Sequence, residues 1–414
     1  MVGSSEQGGS YEVVVIGGGP AGAALATFCQ KAGHRCLLLE RSVYPRYHIG
    51  ESLIPHTYGT LDRLGLLPAL RESSYPKKYS VRFIPESAAN AKPFYFSETI
   101  DGPGVQTWQV ERRTFDRLCL DNAIASGVEV RMETRVSQVL FEGDRAVGVS
   151  VHNPGADAQE IHARVVVDAS GRSTVIGNQL TLKGPVPGLH KMSIWSYYKG
   201  GKRLEGIDEG ETTVFMIPQR GWFWYIPLPD DQVSVGVVAA PEYLQRDSNN
   251  YQEIFDHEIG LCAPLAERLA AAERVDKVRG IPELAYRNRQ IAGDGWVMIG
   301  DAAAFLDPIY SSGLFLALAS AEMAAECVSD ALDADDPSGD RLGAFGARLM
   351  GGVEVIRRLI FAFYDPAFSF GSFVKRFPDQ RAALIDCLVG DVVDKDMKPF
   401  LAALEQMTPV PEPL

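Results

Sequence analysis

Residues 11–40 constrain this chain more than any other stretch. Tyr11–Ile16 is a short, mostly β-branched run, the composition of a strand buried on both faces. Gly17-Gly18-Gly19-Pro20-Ala21-Gly22 follows without a break, and an alanine-rich helical pattern continues to Lys31. Cys36–Leu39 then reads as a second apolar strand ending at the acid Glu40. The order strand, glycine turn, helix, strand specifies a βαβ unit with parallel strands. Gly17, Gly19 and Gly22 hold the G-x-G-x-x-G spacing, with the small Ala21 at the helix start. Such glycines permit the tight turn and let pyrophosphate approach backbone N–H groups at a helix N-terminus. Glu40 is placed to accept hydrogen bonds from ribose hydroxyls. The spacing alone is a weak signal, but with both strands, the helix and the acid in position it predicts a dinucleotide site.

The 414 residues leave room for one large or two fused α/β domains. A net charge of −13 argues against nucleic acid or an anionic membrane as the main partner. Residues 1–10 are polar and Gly/Ser-rich, which predicts disorder and shows no secretory signal. The apolar stretch 313–328 is interrupted by Glu322 and Glu326, so it predicts a buried or amphipathic helix rather than a membrane span. Six scattered cysteines without a C-x-x-C pair suggest neither a metal site nor a disulfide framework, and fit a reducing cytoplasm.

Downstream, Thr212–Ile217, 222–228 and 232–238 alternate apolar residues between Pro/Gly turns, the pattern of antiparallel strands. Within them stands Trp222-Phe223-Trp224-Tyr225-Ile226-Pro227. A strand would point Trp222, Trp224 and Ile226 to one face and Phe223 and Tyr225 to the other, so both faces must be covered.

Two further strings identify the dinucleotide. Val165-Val166-Val167-Asp168 ends a strand ahead of Ala169-Ser170-Gly171-Arg172, and Trp296-Val297-Met298-Ile299 leads into Gly300-Asp301 at a helix start. Both resemble motifs of FAD-dependent monooxygenases of the hydroxybenzoate hydroxylase class, as does Arg112 ahead of Phe115-Asp116. The resemblance covers residues 11 to about 330 and implies FAD, with Arg112, Asp168, Gly171, Gly300 and Asp301 among the binding residues. No second G-x-G-x-x-G is present, and that family lacks one even where NADPH is used. The expected architecture is α/β: a Rossmann-type FAD-binding fold with an inserted, mostly antiparallel substrate sheet and a helical C-terminal segment. Its segments are 11–184 and 291–330 for FAD, 185–290 for the sheet and 331–414 for the helices.

Four strings inside this frame resemble flavin-dependent halogenases, in family order. Arg46 to Ser52, through His48, Ile49, Gly50 and Glu51, is similar to the loop that passes beside the isoalloxazine ring. Pro76-Lys77-Lys78-Tyr79-Ser80 is similar to the segment with the essential lysine, placed at Lys78 rather than Lys77. Trp222 to Pro227 matches W-x-W-x-I-P in full, and Asp307-Pro308-Ile309-Tyr310-Ser311-Ser312-Gly313 is similar to the stretch that holds halide on backbone amides. The wording is that of phenol and carrier-bound pyrrole halogenases; Tyr310 stands where tryptophan halogenases have glutamate.

The resemblance implies distinct roles. FAD arrives reduced from a separate flavin reductase and oxidises chloride or bromide with dioxygen. Arg46, Ile49, Gly50, Glu51, Ser52 and Pro308 flank the flavin, while Ser312 and Gly313 hold halide. Trp222, Trp224, Ile226 and Pro227 wall off the organic substrate, and Lys78 handles hypohalous acid as an ammonium or a haloamine. That substrate is an aromatic small molecule, or one borne by an acyl or peptidyl carrier protein. Ser80 departs from the glycine usual in the family, which questions the approach of Lys78. An aromatic hydroxylase, a double-bond reductase or a degenerate FAD-binding homologue share much of this frame. His48 is a candidate proton donor, and Phe363, Tyr364 and the aromatics of 368–373 are candidates for the substrate pocket or the core.

Overall fold

Tyr11–Ile16 becomes the central strand its composition requires, parallel to Cys36–Leu39 on one side and Gln159–Asp168 on the other. The computed structural model describes residues 11–86, 91–152, 157–217 and 221–413; the expected disorder of 1–10 lies outside them. Trp296–Met298 and Glu129–Arg131 extend the sheet in parallel at its two sides. Ile16 stands opposite Leu39 and Asp168, and Asp168 opposite Met298. The glycine turn, Glu40, Ala169 and Ile299 therefore leave the sheet from one edge, where ligands of open α/β sheets bind. The helix Pro20–Lys31 packs against Ser312–Asp333. The latter, at 22 residues, is long and apolar enough to cross a membrane by length and composition, and 61% of its apolar window is buried inside the protein.

The second sheet runs in the order Glu273–Arg274, Met192–Lys199, Gln232–Ala239, Gly221–Pro227, Thr212–Ile217, Ser80–Ile84 and Phe94–Tyr95. It is antiparallel except where Thr212–Ile217 meets Ser80–Ile84 in parallel. The sheet thus takes two strands from the segment expected to serve FAD alone. The local pattern of residues 80–95 carries no mark of a partner more than a hundred residues away.

Gly221–Pro227 lies between two neighbouring strands and is buried throughout. Trp222, Trp224 and Ile226 face the core shared with the nucleotide frame, whereas Phe223 and Tyr225 face a separate core beneath the helices Tyr251–Leu261 and Ala263–Leu269. A one-residue register slip would exchange the two sets, so burial on both sides pins the strand. Trp224 crosses to Gly236, where an added Cβ would stand 2.2 Å from the indole ring. The C-terminal segment is helical as expected, with Gly346–Tyr364, Phe370–Arg376, Arg381–Val389 and Lys398–Glu405. Phe363, Phe368 and Phe373 are core residues there.

Candidate active site

A cleft of about 1120 Å³ opens at the sheet edge, lined by Gly17, Gly19, Ala21, Glu40, Arg46, Ile49, Gly50, Arg112, Gly171, Asp301 and Gly313. Gly17 has φ +104° and a Cβ there would sit 2.5 Å from the Ala169 carbonyl oxygen, so no other residue fits. At Gly19 a Cβ would meet only Arg46 Nη2 at 3.4 Å, which leaves its backbone open to the cleft. Glu40 is buried; its carboxylate accepts the N–H groups of Gly18 at 2.9 Å and Ser42 at 2.8 Å. Arg112 clasps Asp116 through Nε and Nη2 at 2.6 and 3.1 Å, and its Nη1 donates to the Ile49 carbonyl at 2.7 Å. That bond anchors the loop that carries Gly50. Volume, exposed glycine backbone and acid fit FAD, whose pyrophosphate would lie on the turn.

Six residues expected to bind the cofactor do not line this cleft: Glu51, Ser52 and Pro308, which line a second, inner space, and Asp168, Gly22 and Gly300. Asp168 is fully buried, and its carboxylate accepts the N–H groups of Ser170 at 3.0 Å and Ile176 at 2.8 Å. It ties the strand to the next turn. Gly22 packs helix on strand, since a Cβ would lie 2.0 Å from the Gly17 oxygen. Gly300 adopts φ +56° and donates its N–H to Ser320 Oγ at 3.0 Å, so it shapes the turn that presents Asp301. His48 is held down to about 3 by the Arg112 charge and by burial, which disfavours the imidazolium that a proton donor requires.

Behind the cleft lies an inner cavity of about 130 Å³, lined by Glu51, Ser52, Thr212, Val214, Trp222, Trp224, Ile226, Pro308 and Gly313 among others. Glu51, Ser52 and Pro308 belong to this cavity rather than to the cleft, and Pro227 ends the strand outside it. Trp222 donates its indole N–H to Tyr364 Oη at 2.9 Å, and Tyr364 donates to Asp307 at 2.8 Å. Trp224 donates to Ser234 Oγ at 3.0 Å. Each indole is therefore fixed at its polar end as well as packed. Burial pushes the Asp307 carboxyl up to about 6, and does the same to Asp301.

Gly313 lines both spaces and stands in the first turn of Ser312–Asp333. First-turn amides lack intrahelical acceptors and carry the positive end of the helix dipole, which suits a halide. Ser312 is buried and lines neither space, so of the two residues expected to hold halide only Gly313 reaches them. Tyr310 donates to the Leu359 carbonyl at 3.1 Å and packs edge-on against Phe83 and Phe363.

Lys77 is exposed and Lys78 is buried, with 1% of its surface accessible. Lys78 Nζ donates to Ser52 Oγ at 2.7 Å and to the Leu53 carbonyl at 3.3 Å, and lies 5.5 Å from the Phe96 ring centroid. Ser52 Oγ is also 3.1 Å from Thr212 Oγ1, so Lys78 stands one hydroxyl behind the cavity wall. Burial brings its pKa down to about 7, against the attraction of Glu211. Ser80 is a strand residue without left-handed backbone, so the torsions reserved for glycine are not used. Its hydroxyl donates to Glu211 at 3.3 Å beside Arg82, which holds both carboxylate oxygens at 2.9 and 3.0 Å.

Tyr197, Thr212, Ser234 and Glu211 escaped the sequence reading because no local motif contains them. The one available signal was a polar residue at an inward position of an apolar strand, as at Thr212 and Ser234.

A family model described as an FAD binding domain matches residues 10–333. A 1H-pyrrole-2-carbonyl-[peptidyl-carrier protein] chlorinase of Pseudomonas fluorescens is 30% identical, over 95% of this chain and 94% of its own. The corresponding brominase of Pseudoalteromonas luteoviolacea is 30% identical over 93% of each. Among solved structures, the flavin-dependent brominase Bmp2 superposes with a TM-score of 0.88 at 28% identity, covering 96% of this chain and 98% of its own.

Proposed function

Because this chain belongs to the FAD binding domain family and, within it, to the flavin-dependent halogenases, we propose that it chlorinates or brominates a pyrrole held on a peptidyl carrier protein. The end-to-end match to the pyrrolyl-carrier chlorinase carries the choice of substrate. We place the enzyme in the cytoplasm beside its carrier and a separate flavin reductase.

Bound FAD, supplied reduced, furnishes with dioxygen the two-electron oxidation of halide. The chain's residues divide the remaining work. The cleft glycines seat the pyrophosphate, and Glu40 addresses the ribose. The Gly313 amide, in the first turn of its helix, holds the halide where the cleft meets the inner cavity. Trp222, Trp224 and Ile226 keep the pyrrole from the flavin side, so oxidised halogen leaves that space as hypohalous acid. Lys78 as ammonium donates to Ser52 Oγ, and the Ser52 hydroxyl passes the hydrogen bond on to the oxygen of that acid. The pyrrole carbon then attacks halogen: a carbon–halogen bond forms, the halogen–oxygen bond breaks, water leaves with the ammonium's proton, and the ring's displaced proton restores the lysine. A pKa near 7 lets Lys78 give and regain that proton.

The test is mass spectrometry of reactions with reduced FAD, dioxygen and chloride or bromide. Pyrrole-2-carbonyl carrier protein, the free pyrrole acid and a simple phenol are offered separately. Halogen replacing hydrogen on the carrier-bound pyrrole is expected. Halogenation of the phenol with the carrier substrate untouched would replace this substrate, and a hydroxylated product in the presence of halide would replace the reaction.

A further inference from the structure

Glu51 is a carboxyl group with almost no contact with water, yet it is wired in two directions. Its Oε1 accepts the Tyr197 hydroxyl, and the Tyr197 and Tyr47 hydroxyls are 3.2 Å apart. Tyr47 keeps 36% of its surface accessible and lines the mouth of the FAD cleft. Trp195 donates its indole N–H to Tyr47 Oη, and the Arg279 guanidinium lies 4.1 Å from the Tyr47 ring centroid. On the other side Ser234 Oγ is 3.3 Å from Glu51 Oε2 and receives the Trp224 indole N–H. Glu51 itself lines the inner cavity with both tryptophans. One hydrogen-bonded line therefore runs from Tyr47, a partly exposed residue of the cleft, to the wall of the inner cavity.

Halogenation gives such a line a task. Counting reduced flavin as FADH2, the balanced reaction is RH + X⁻ + O2 + FADH2 + H⁺ → RX + FAD + 2 H2O. The C–H and O–O bonds break, the C–X bond and the O–H bonds of water form, halide is oxidised by two electrons and dioxygen is reduced by four. Each turnover takes one proton from solution along with its halide. Halide enters as an anion, and a hydrogen-bonded line of side chains can deliver the proton to the cavity separately.

We propose that Tyr47, Tyr197 and Glu51 form the path by which that proton passes between the protein surface and the inner cavity. Tyr47 receives it, Tyr197 passes it on by exchanging donor and acceptor roles, and Glu51 holds it beside the tryptophan wall. Glu51 is thus a positioning and proton-holding residue separate from Lys78, which it does not contact in this network. The groups facing Glu51 are Tyr197 and Ser234 from two strands and Arg112 from its helix, with His48, Arg172 and Asp301 around the same cavity. Burial outweighs the pull of Tyr197 and Arg112 and sets the Glu51 carboxyl at about 7, so it both holds and releases a proton near neutrality.

The path rests on the halogenation reaction, and its test separates the two. Infrared titration of the FAD-free protein should show a carboxylic acid band that disappears with a midpoint near 7 and is missing from Glu51→Gln. Tyr197→Phe should lower kcat by about 10²-fold and enlarge the solvent deuterium isotope effect, with KM and FAD affinity unchanged. Tyr47→Phe, at a half-open surface position that folding tolerates, should shift both in the same direction. Wild-type kcat, pH profile and isotope effect in both phenylalanine variants would overturn the path, as would absence of the Glu51 band at neutral pH. Failure of the wild type to halogenate would instead defeat the reaction itself.

Discussion

The cleft and the inner cavity meet along a shared border, His48 to Gly50, Arg172, Asp301, Phe305, Gly313 and Leu314, but differ in size and in the rest of their walls. The cleft is about 1120 Å³ and edged with backbone amides, arginines and an acid; the cavity is about 130 Å³ and walled mainly by indoles and aliphatic side chains. A dinucleotide with two phosphates needs the first kind of surface. An oxidised halogen, which reacts with whatever nucleophile it meets, needs the second. On the proposed mechanism this contrast keeps oxidation of halide apart from its use: the polar space makes the oxidant, and the apolar one limits what can reach it.

The largest break in that contrast should come from Gly19→Ala. Its φ of −67° accepts alanine and the methyl would touch only Arg46, so the fold should survive. The methyl would occupy the approach of the pyrophosphate, and FAD affinity should fall by at least about 10²-fold by flavin fluorescence titration, with the melting temperature of the FAD-free protein unchanged. Gly236→Ala attacks the other space. Its Cβ would strike the Trp224 indole, so the protein should lose about 1–3 kcal/mol in urea unfolding. Product formation should fall more than halide-dependent oxygen consumption, because the wall and not the cleft is disturbed.

Ser52→Ala removes the nearer acceptor of Lys78 and should lower halogenation about 10-fold at unchanged FAD affinity, measured as kcat against Kd. The smallest effect concerns pH. Lys78 has a folded pKa near 7, below its ordinary 10.5, so between those values the unfolded chain binds the extra proton. Stability then rises with pH across that window, and the gain is lost progressively as pH falls from 10.5 to about 7, below which both states hold the proton. Urea melts of the wild type against Lys78→Met should converge in favour of the wild type from pH 7 upward.

The same two spaces mark what the sequence made legible. The cleft follows from residues 11–40 because strand, turn, helix and acid are adjacent in the chain and obey local geometry. The tryptophan strand was readable for the same reason: its alternation assigns faces without knowledge of its neighbours. The inner cavity is assembled from Glu51, Thr212, Tyr197 and Ser234, which meet only through strand register across some 180 positions. Asp168 shows the opposite case. A strand-end acid before a small-residue turn suits both a ligand and a backbone tie, and the N–H groups of Ser170 and Ile176 decide for the tie. Ser80 was a doubt that backbone geometry removes, since an extended strand has no need of glycine.

The central claim is that halide is oxidised where the cleft meets the inner cavity and is transferred to the pyrrole only with the help of Lys78. Lys78→Met tests it most directly, with reduced FAD, dioxygen, bromide, the carrier-bound pyrrole and a freely diffusing halogen acceptor in one reaction. The account predicts a halogenated acceptor at a rate near that of wild-type halide oxidation, and at least about 10³-fold less halogenated pyrrole. Wild-type yields of halogenated pyrrole from that variant would contradict it.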